Sequence, residues 1–293
     1  MATPLVYRAY AKVNLYLDVR NQRRDGYHNI ETIFQSVGLA DELTFNERQS
    51  RISLTCSTSE LDTSDQNLVV RAARLLRQRS GSKTGVRIHL EKAIPIAAGL
   101  GGGSSDAAAT LIALNLLWDL QWPLARLRLL ARELGADVPY CTAGGTAAAT
   151  GRGDDLRPLA PLFQTWFVLV HPDATVSTAR VYGGARLTHN EEKSFAGITP
   201  SFRGALRALQ TGRMTDVVFN RMEAAVFPDH PYLAEIKRRL LEQGCIAAGM
   251  SGSGATLFGV CPSRERAARI AESISDCRTS VVPSVPACVE RIV

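Results

Sequence analysis

No run in the 293-residue sequence approaches the ~20 consecutive apolar residues that a membrane-spanning helix needs. The N-terminus also lacks the charged-then-apolar pattern of a secretory leader. Six cysteines (Cys56, Cys141, Cys245, Cys261, Cys277 and Cys288) are scattered without a C-x-x-C pair or nearby histidines. That spacing argues against a zinc module and fits a reduced cytoplasm better than a disulfide framework. Aromatic residues make up only 6% of the chain, and the longest basic cluster is Lys237-Arg238-Arg239 on a helical pattern. An RNA-binding module would need a basic stripe interleaved with exposed aromatics, so neither a nucleic-acid nor a membrane partner is expected. Internal repeats and low-complexity tracts are absent as well.

What remains is an ordinary globular composition, 45% hydrophobic and 21% charged, long enough for about two domains. The net charge of +6 favours small anionic substrates. The most informative stretch is Pro95-Ile-Ala-Ala-Gly99-Leu-Gly101-Gly102-Gly103-Ser104-Ser105-Asp106, followed by a helix-forming run from Ala107 to Trp118. Glycines strip the loop of side chains, so its amide N–H groups can face an anion together with the positive end of the helix behind. A plain loop capped by Ser105 or Asp106 is the alternative. The strand pattern Val86–Glu91 leading in, and the two hydroxyls at the helix entrance, favour a phosphate site. It is not a P-loop, because no lysine follows the glycines. Nor is it a dinucleotide fingerprint, because Ser104 stands where the third glycine belongs. No His-Arg-Asp or Asp-Phe-Gly triplet occurs, which removes the protein-kinase set.

Along the chain, Ala9–Val19 alternates, with Ala11, Val13, Leu15, Leu17 and Val19 on one face and Lys12, Asn14, Tyr16 and Asp18 on the other. The polar face is expected toward solvent unless Lys12 and Asn14, about 7 Å apart, serve a site. Asp25-Gly26 signals a turn that places Tyr27 and His28 at the start of a returning strand. Further strands are expected over 41–46 and 51–56. A helix from Asn67 stops at Gly81, and another runs from Pro123 to Leu134. Asn67 suits a cap, and Asp137 before Val138-Pro139 suits either a helix N-cap or a catalytic role. The second half reads as a strand at 166–171, helices near 205 and over 232–243, and strands at 245–248 and 255–261 around Gly249–Gly254. A helix from Ser263 and a strand near Val289 follow. That order suggests an antiparallel α+β sandwich, with a domain boundary at 155/156 separating residues 1–155 from 156–293.

Taken together, the glycine-serine loop and Gly249-Met250-Ser251-Gly252-Ser253-Gly254 resemble the two glycine motifs of the GHMP kinase superfamily. Ala11-Lys12-Val-Asn14-Leu, Asp25-Gly26-Tyr27-His28 and Gly135-Ala-Asp137-Val-Pro139 resemble the branch that acts on a diphosphocytidyl methylerythritol. The resemblance implies a two-domain α+β GHMP kinase fold, with an N-terminal domain of the ribosomal-protein type, a C-terminal α+β sandwich and an active site in the cleft between them. It implies ATP with Mg²⁺, and phosphorylation of a 2-hydroxyl in the non-mevalonate route to isoprenoid precursors. In that scheme Asp137 is the base and Lys12 its electrostatic partner. Asn14 helps hold the acceptor alcohol, Tyr27 and Tyr182 sandwich the cytosine, and His28 hydrogen-bonds it. Tyr182 stands where the family commonly has phenylalanine. Asn67 lies near the adenine, and Pro95, Gly99, Gly101, Gly102, Gly103, Ser104 and Ser105 line the triphosphate. The metal ligands stay unassigned among Ser104, Ser105 and Asp106. A monomer or weak homodimer in the cytoplasm is expected. The rival readings are a GHMP kinase for mevalonate derivatives or homoserine, and an RNA-binding module.

Overall fold

The computed structural model describes residues 4–174, 176, 181 and 197–293. Tyr182, and most of the 183–200 stretch, lie outside them. The first half contains β1 (Leu5–Gln22), β2 (His28–Arg48), β3 (Ile52–Cys56), α1 (Leu68–Ser80), β4 (Gly85–Glu91), α2 (Gly102–Leu117), α3 (Leu124–Ala131), α4 (Val138–Cys141), β5 (Thr146–Thr150) and β6 (Asp155–Pro158). The second half adds β7 (Trp166–His171), α5 (Pro200–Gln210), β8 (Phe219–Asn220), α6 (Glu223–Val226), α7 (Pro231–Glu242), β9 (Ala247–Met250), β10 (Leu257–Cys261), α8 (Arg264–Ser273), β11 (Arg278–Pro283) and β12 (Val289–Arg291). No helix among the described residues is long and apolar enough to cross a membrane.

Two sheets organise the chain. One follows the order β12-β1-β2-β4-β3, extended by β5 next to β2, β6 next to β5, and β8 next to β1. The other is β11-β7-β10-β9, with every neighbour antiparallel, as the strand order suggests. The last strand, β12, returns to pair with β1, so the C-terminus closes the first sheet. Helices α1 and α2 cover one face of that sheet through Phe45, Leu76, Ile88, Leu111 and Leu114. Helices α7 and α8 cover the outer face of the second sheet through Leu233, Ile236, Leu240 and Ile270. Between the sheets, Val13, Leu15 and Ile33 meet Phe167, Phe258 and Phe202 in a shared cluster. Burial of such side chains, about 1.5–3 kcal/mol each, joins the two sheets over a dry contact.

The expected solvent-facing side of β1 is corrected. Lys12, Asn14, Tyr16 and Asp18 are all buried, and Asp18 pairs with Arg221 Nε at 2.5 Å. The pairing of β1 with β2 slips between Tyr10 and Ala11 and again between Asn14 and Tyr16. Ala11, Val13 and Leu15 therefore face the inter-sheet cluster, while Leu17 and Val19 join the outer one. Register slips of this kind re-aim side chains, and Lys12 and Asn14 sit between the two. Residues 41–46 continue β2 rather than forming a separate strand. Helix α2 begins at Gly102, five residues before the expected start, with Gly101 as its N-cap. Helix α3 ends at Ala131 and not at Leu134. Strands β6, β8 and β11 carry no turn or alternation signal strong enough to announce them.

Helix α4 is a single turn, too short to hold its place through its own hydrogen bonds. Tyr140 anchors it: its ring stacks on Phe34 at 4.5 Å, and its hydroxyl lies 2.7 Å from both Ser36 Oγ and Gly145 O. Replacing Tyr140 by Phe removes the hydroxyl's bonds to Ser36 and Gly145, whose carbonyl keeps its bond from Ser36 N, and should cost about 0.5–1.5 kcal/mol in urea unfolding. An unchanged midpoint would show that the hydroxyl holds nothing.

Candidate active site

Two cavities adjoin where the β4–α2 loop meets the loop after β9. One, about 490 Å³, is lined by Lys12, Asn14, Tyr27, His28 and Asp137 among others. The second, about 370 Å³, is lined by Asn67, Pro95, Gly102 and Gly103. Both share Ala97, Gly99, Gly101 and Ser104, so one glycine loop forms the wall between them. The site residues expected from the sequence are thus brought together, with two exceptions. Tyr182 lies outside the described residues. Ser105 lines neither cavity, because its hydroxyl is fully buried against Cys288 O at 3.4 Å.

Lys12 is at the centre. Its ammonium, 4% exposed, donates to Asn14 Oδ1 at 2.7 Å and to Gly99 O at 3.1 Å, and pairs with Asp137 Oδ2 at 3.4 Å. A buried ammonium is tolerated only with such acceptors around it. Asn14 is fixed in turn by Thr32, whose Oγ1 accepts from Asn14 Nδ2 at 2.9 Å and donates to Tyr16 O at 2.6 Å. Asp137 occupies the N-cap position of α4 in a helical conformation, and its side chain makes no capping bond. The carboxylate is free of that structural task and is about one-third exposed to the cavity. Asn67 does cap α1, accepting from Val69 N at 2.9 Å, while lining the second cavity.

The second glycine motif is not a plain hairpin connection. Ser251 Oγ donates to Gly99 O at 2.9 Å, and Thr256 N donates to Ala98 O at 3.3 Å. Gly99 has φ +79°, and a Cβ there would stand 2.1 Å from Ser251 O, so only glycine lets the loops touch. The first turn of α2 directs its N–H groups toward the second cavity without a side-chain cap. That arrangement, with Cβ-free Gly102 and Gly103, fits a polyphosphate.

Sequence reasoning missed a buried ion cluster below this turn. Lys92 Nζ pairs with Asp41 and, at 3.0 Å, with Asp106 Oδ2. Asp41 Oδ1 also accepts from Ala93 N and Ile94 N, whereas Asp106 Oδ1 is buried with no hydrogen-bond partner among the described residues. Burial pushes the Asp106 carboxyl up to about 8, with Asp41 adding to the rise and Lys92 opposing it. The partners lie 51 and 14 residues from Lys92, with no pattern in the chain to join them. Arg152, also unforeseen, lines the first cavity with its guanidinium 5.0 Å from the Tyr27 ring centroid. The Lys237–Arg239 run is consumed by ion pairs with Glu223, Glu235, Glu242 and Asp276.

The Asp106 environment has a testable consequence. An unfolded aspartate titrates near 3.9, whereas folded Asp106 keeps its proton to about 8. The native state therefore binds more protons between those values, and stability falls as pH rises from about 4 to 8. Asp106→Asn should flatten this part of a Tm-versus-pH curve and gain most on the wild type at pH 8. An identical slope in the variant would contradict the assignment.

Comparison with known proteins identifies the family. The N-terminal GHMP kinase domain family matches residues 67–145 and the C-terminal GHMP kinase family residues 202–277. A 4-diphosphocytidyl-2-C-methyl-D-erythritol kinase from Enterococcus faecalis is 42% identical over 267 residues, covering 91% of this chain and 93% of the relative. A crystal structure of a 4-(cytidine 5'-diphospho)-2C-methyl-D-erythritol kinase superposes with a TM-score of 0.79 at 38% identity, over 94% of this chain and 98% of the other. Homoserine kinase from Cytophaga hutchinsonii also reaches a TM-score of 0.79, over 100% of this chain and 98% of the other. At 19% identity it shares the fold alone. With two thirds and more of its length matched at about 40% identity, the chain belongs to the 4-diphosphocytidyl-2-C-methyl-D-erythritol kinase family of GHMP kinases.

Proposed function

We propose that the protein transfers the γ-phosphoryl group of ATP to the 2-hydroxyl of 4-diphosphocytidyl-2-C-methyl-D-erythritol, in the non-mevalonate route to isoprenoid precursors. One observation carries the reading: Asp137 and Lys12 face each other in the cavity that carries Tyr27 and His28, across a glycine wall from the phosphate cradle. In this reading the cytidine diphosphate occupies the first cavity. Tyr27, half exposed, offers a ring for stacking, with Tyr182 as the second ring expected from the sequence. His28 hydrogen-bonds the base and Asn14 helps hold the acceptor alcohol. ATP lies in the second cavity, its adenine toward Asn67 and its phosphates over Gly101–Ser104 and the start of α2. Residues 1–155 supply the cradle and most of the catalytic groups, and 156–293 supply the loop that closes on them. The enzyme works in the cytoplasm as a monomer or weak homodimer, without nucleic-acid or membrane partners.

Chemically, the acceptor oxygen forms a bond to the γ-phosphorus as the bond to the β-phosphate bridging oxygen breaks and ADP leaves. A loose transition state demands alignment and charge neutralisation more than a strong base. Asp137 orients the hydroxyl and takes its proton late, while Lys12 offsets charge on the transferring group. Magnesium accompanies ATP in this reading. The described residues hold no group of three or more acidic, histidine or cysteine side chains that could by itself hold a metal ion. That suits Mg²⁺, which keeps several waters and phosphate ligands and needs one or two protein contacts. Ser104, on the shared wall of the cavities, is better placed than Ser105 or the Lys92-paired Asp106.

ADP release with Mg-ATP should depend on the cytidine acceptor and stay at background with mevalonate or homoserine. Asp137→Asn should lower kcat by about 100-fold or more. Release with a rival acceptor would overturn the substrate, and near wild-type turnover of the variant would overturn the role of Asp137.

A further inference from the structure

The Met250–Gly254 loop is held from behind by two residues with no part in the site as described so far. Asn220, on β8 and buried, donates through Nδ2 to Met250 O at 2.7 Å and to Gly252 O at 2.8 Å. Its Oδ1 accepts from Met222 N at 2.9 Å. Both N–H bonds of the amide are thereby spent on the loop. One turn on, Glu223 Oε1 accepts from Met250 N at 2.9 Å, and Lys237 holds its other oxygen at 2.5 Å. The peptide groups on both sides of Met250 are gripped.

The residue between the two carbonyls that Asn220 holds is Ser251. Its Oγ donates to Gly99 O at 2.9 Å and accepts from Asn14 N at 3.4 Å. Gly99 O is also an acceptor for the Lys12 ammonium, and a Cβ on Gly252 would come within 3.5 Å of Lys12 Nζ. Strand β8 itself pairs with β1, Leu17 opposite Asn220, just beyond Asn14. A continuous set of hydrogen bonds therefore runs from Asn220 through the loop and Ser251 to the carbonyl that orients Lys12.

We infer that Asn220, with Glu223, is a positioning residue for phosphoryl transfer: it sets the Met250–Gly254 loop against Gly99 so that Lys12 is held toward Asp137. The inference rests on the proposed phosphoryl transfer, yet part of it is readable without catalysis. Loss of the amide leaves the buried Met250 carbonyl and the partly buried Gly252 carbonyl without this donor and lets Ser251 drift from Gly99. A misplacement of about 1 Å at a reacting group costs up to ~100-fold in rate.

The test compares Asn220→Ala and the isosteric Asn220→Asp with wild type by hydrogen–deuterium exchange and by steady-state kinetics. Exchange should quicken in peptides covering 249–256 and 97–101 and remain unchanged in α1 and α7. With the cytidine acceptor, kcat should fall about 10- to 100-fold with a much smaller change in KM, the sign of an interaction used in the transition state. Combined with Ser251→Ala, the loss should be no greater than that of the more impaired single variant, because both act through one contact. Unaltered exchange at 97–101, near wild-type kcat, or losses that multiply in the double variant would each overturn the inference. If Asn220→Ala fails to fold, Asn220→Asp, which keeps the shape and the Oδ1 acceptor, carries the same readings. A wild-type protein inactive with the cytidine acceptor would overturn the functional reading, while the exchange comparison would still decide whether Asn220 couples the two loops.

Discussion

The ammonium of Lys12 is the constraint on which the rest depends. A lysine head buried to this extent survives only if its protons are satisfied, because an unpaired buried charge costs several kcal/mol. Here Asn14, Gly99 and Asp137 satisfy it, and each comes from a different part of the chain. Strand β1 supplies the first, the glycine loop the second and the turn before α4 the third. Fixing one cation therefore fixes three segments relative to one another. All three line the first cavity, and the Asp137 carboxylate, about one-third exposed, is open to a second ligand.

Close backbone approach supplies the rest. The two glycine loops touch without side chains between them, so the carbonyl of Gly99 can serve Lys12 and Ser251 at once. A single peptide group thus links the half that carries the cradle to the half that closes over it. Beneath the cradle, Lys92 neutralises Asp41 while Asp106 keeps its own proton to about 8, so the glycine loop is backed by a cluster close to neutral. The bland alternatives weighed for single residues lose their force through this geometry. Asp137 makes no cap, and the polar side of β1 faces the interior.

Much of this was legible in the chain. Gly26 and Gly81 marked turns where positive φ is required, and the strand pattern at 86–91 marked β4. The glycine-serine loop pointed to the stretch that lines both cavities, and family resemblance supplied expected roles for Lys12, Asn14, Tyr27, His28, Asn67 and Asp137. The start of α2 was misplaced because glycine is a poor helix former, and only the tertiary setting makes Gly102 and Gly103 helical. The β1 phase failed because a register slip is a property of two strands, invisible in one. Lys92, Asn220 and Glu223 escaped for the same reason: each is an unremarkable polar residue whose meaning lies in partners far along the sequence.

The most direct test of the account is a crystal structure with a non-hydrolysable ATP analogue and the cytidine acceptor bound together. The account predicts the acceptor 2-hydroxyl within hydrogen-bond reach of Asp137, the γ-phosphate analogue between it and the start of α2, and the cytosine against Tyr27. An acceptor hydroxyl remote from both Asp137 and Lys12, or a nucleotide base exchanged between the two cavities, would contradict it.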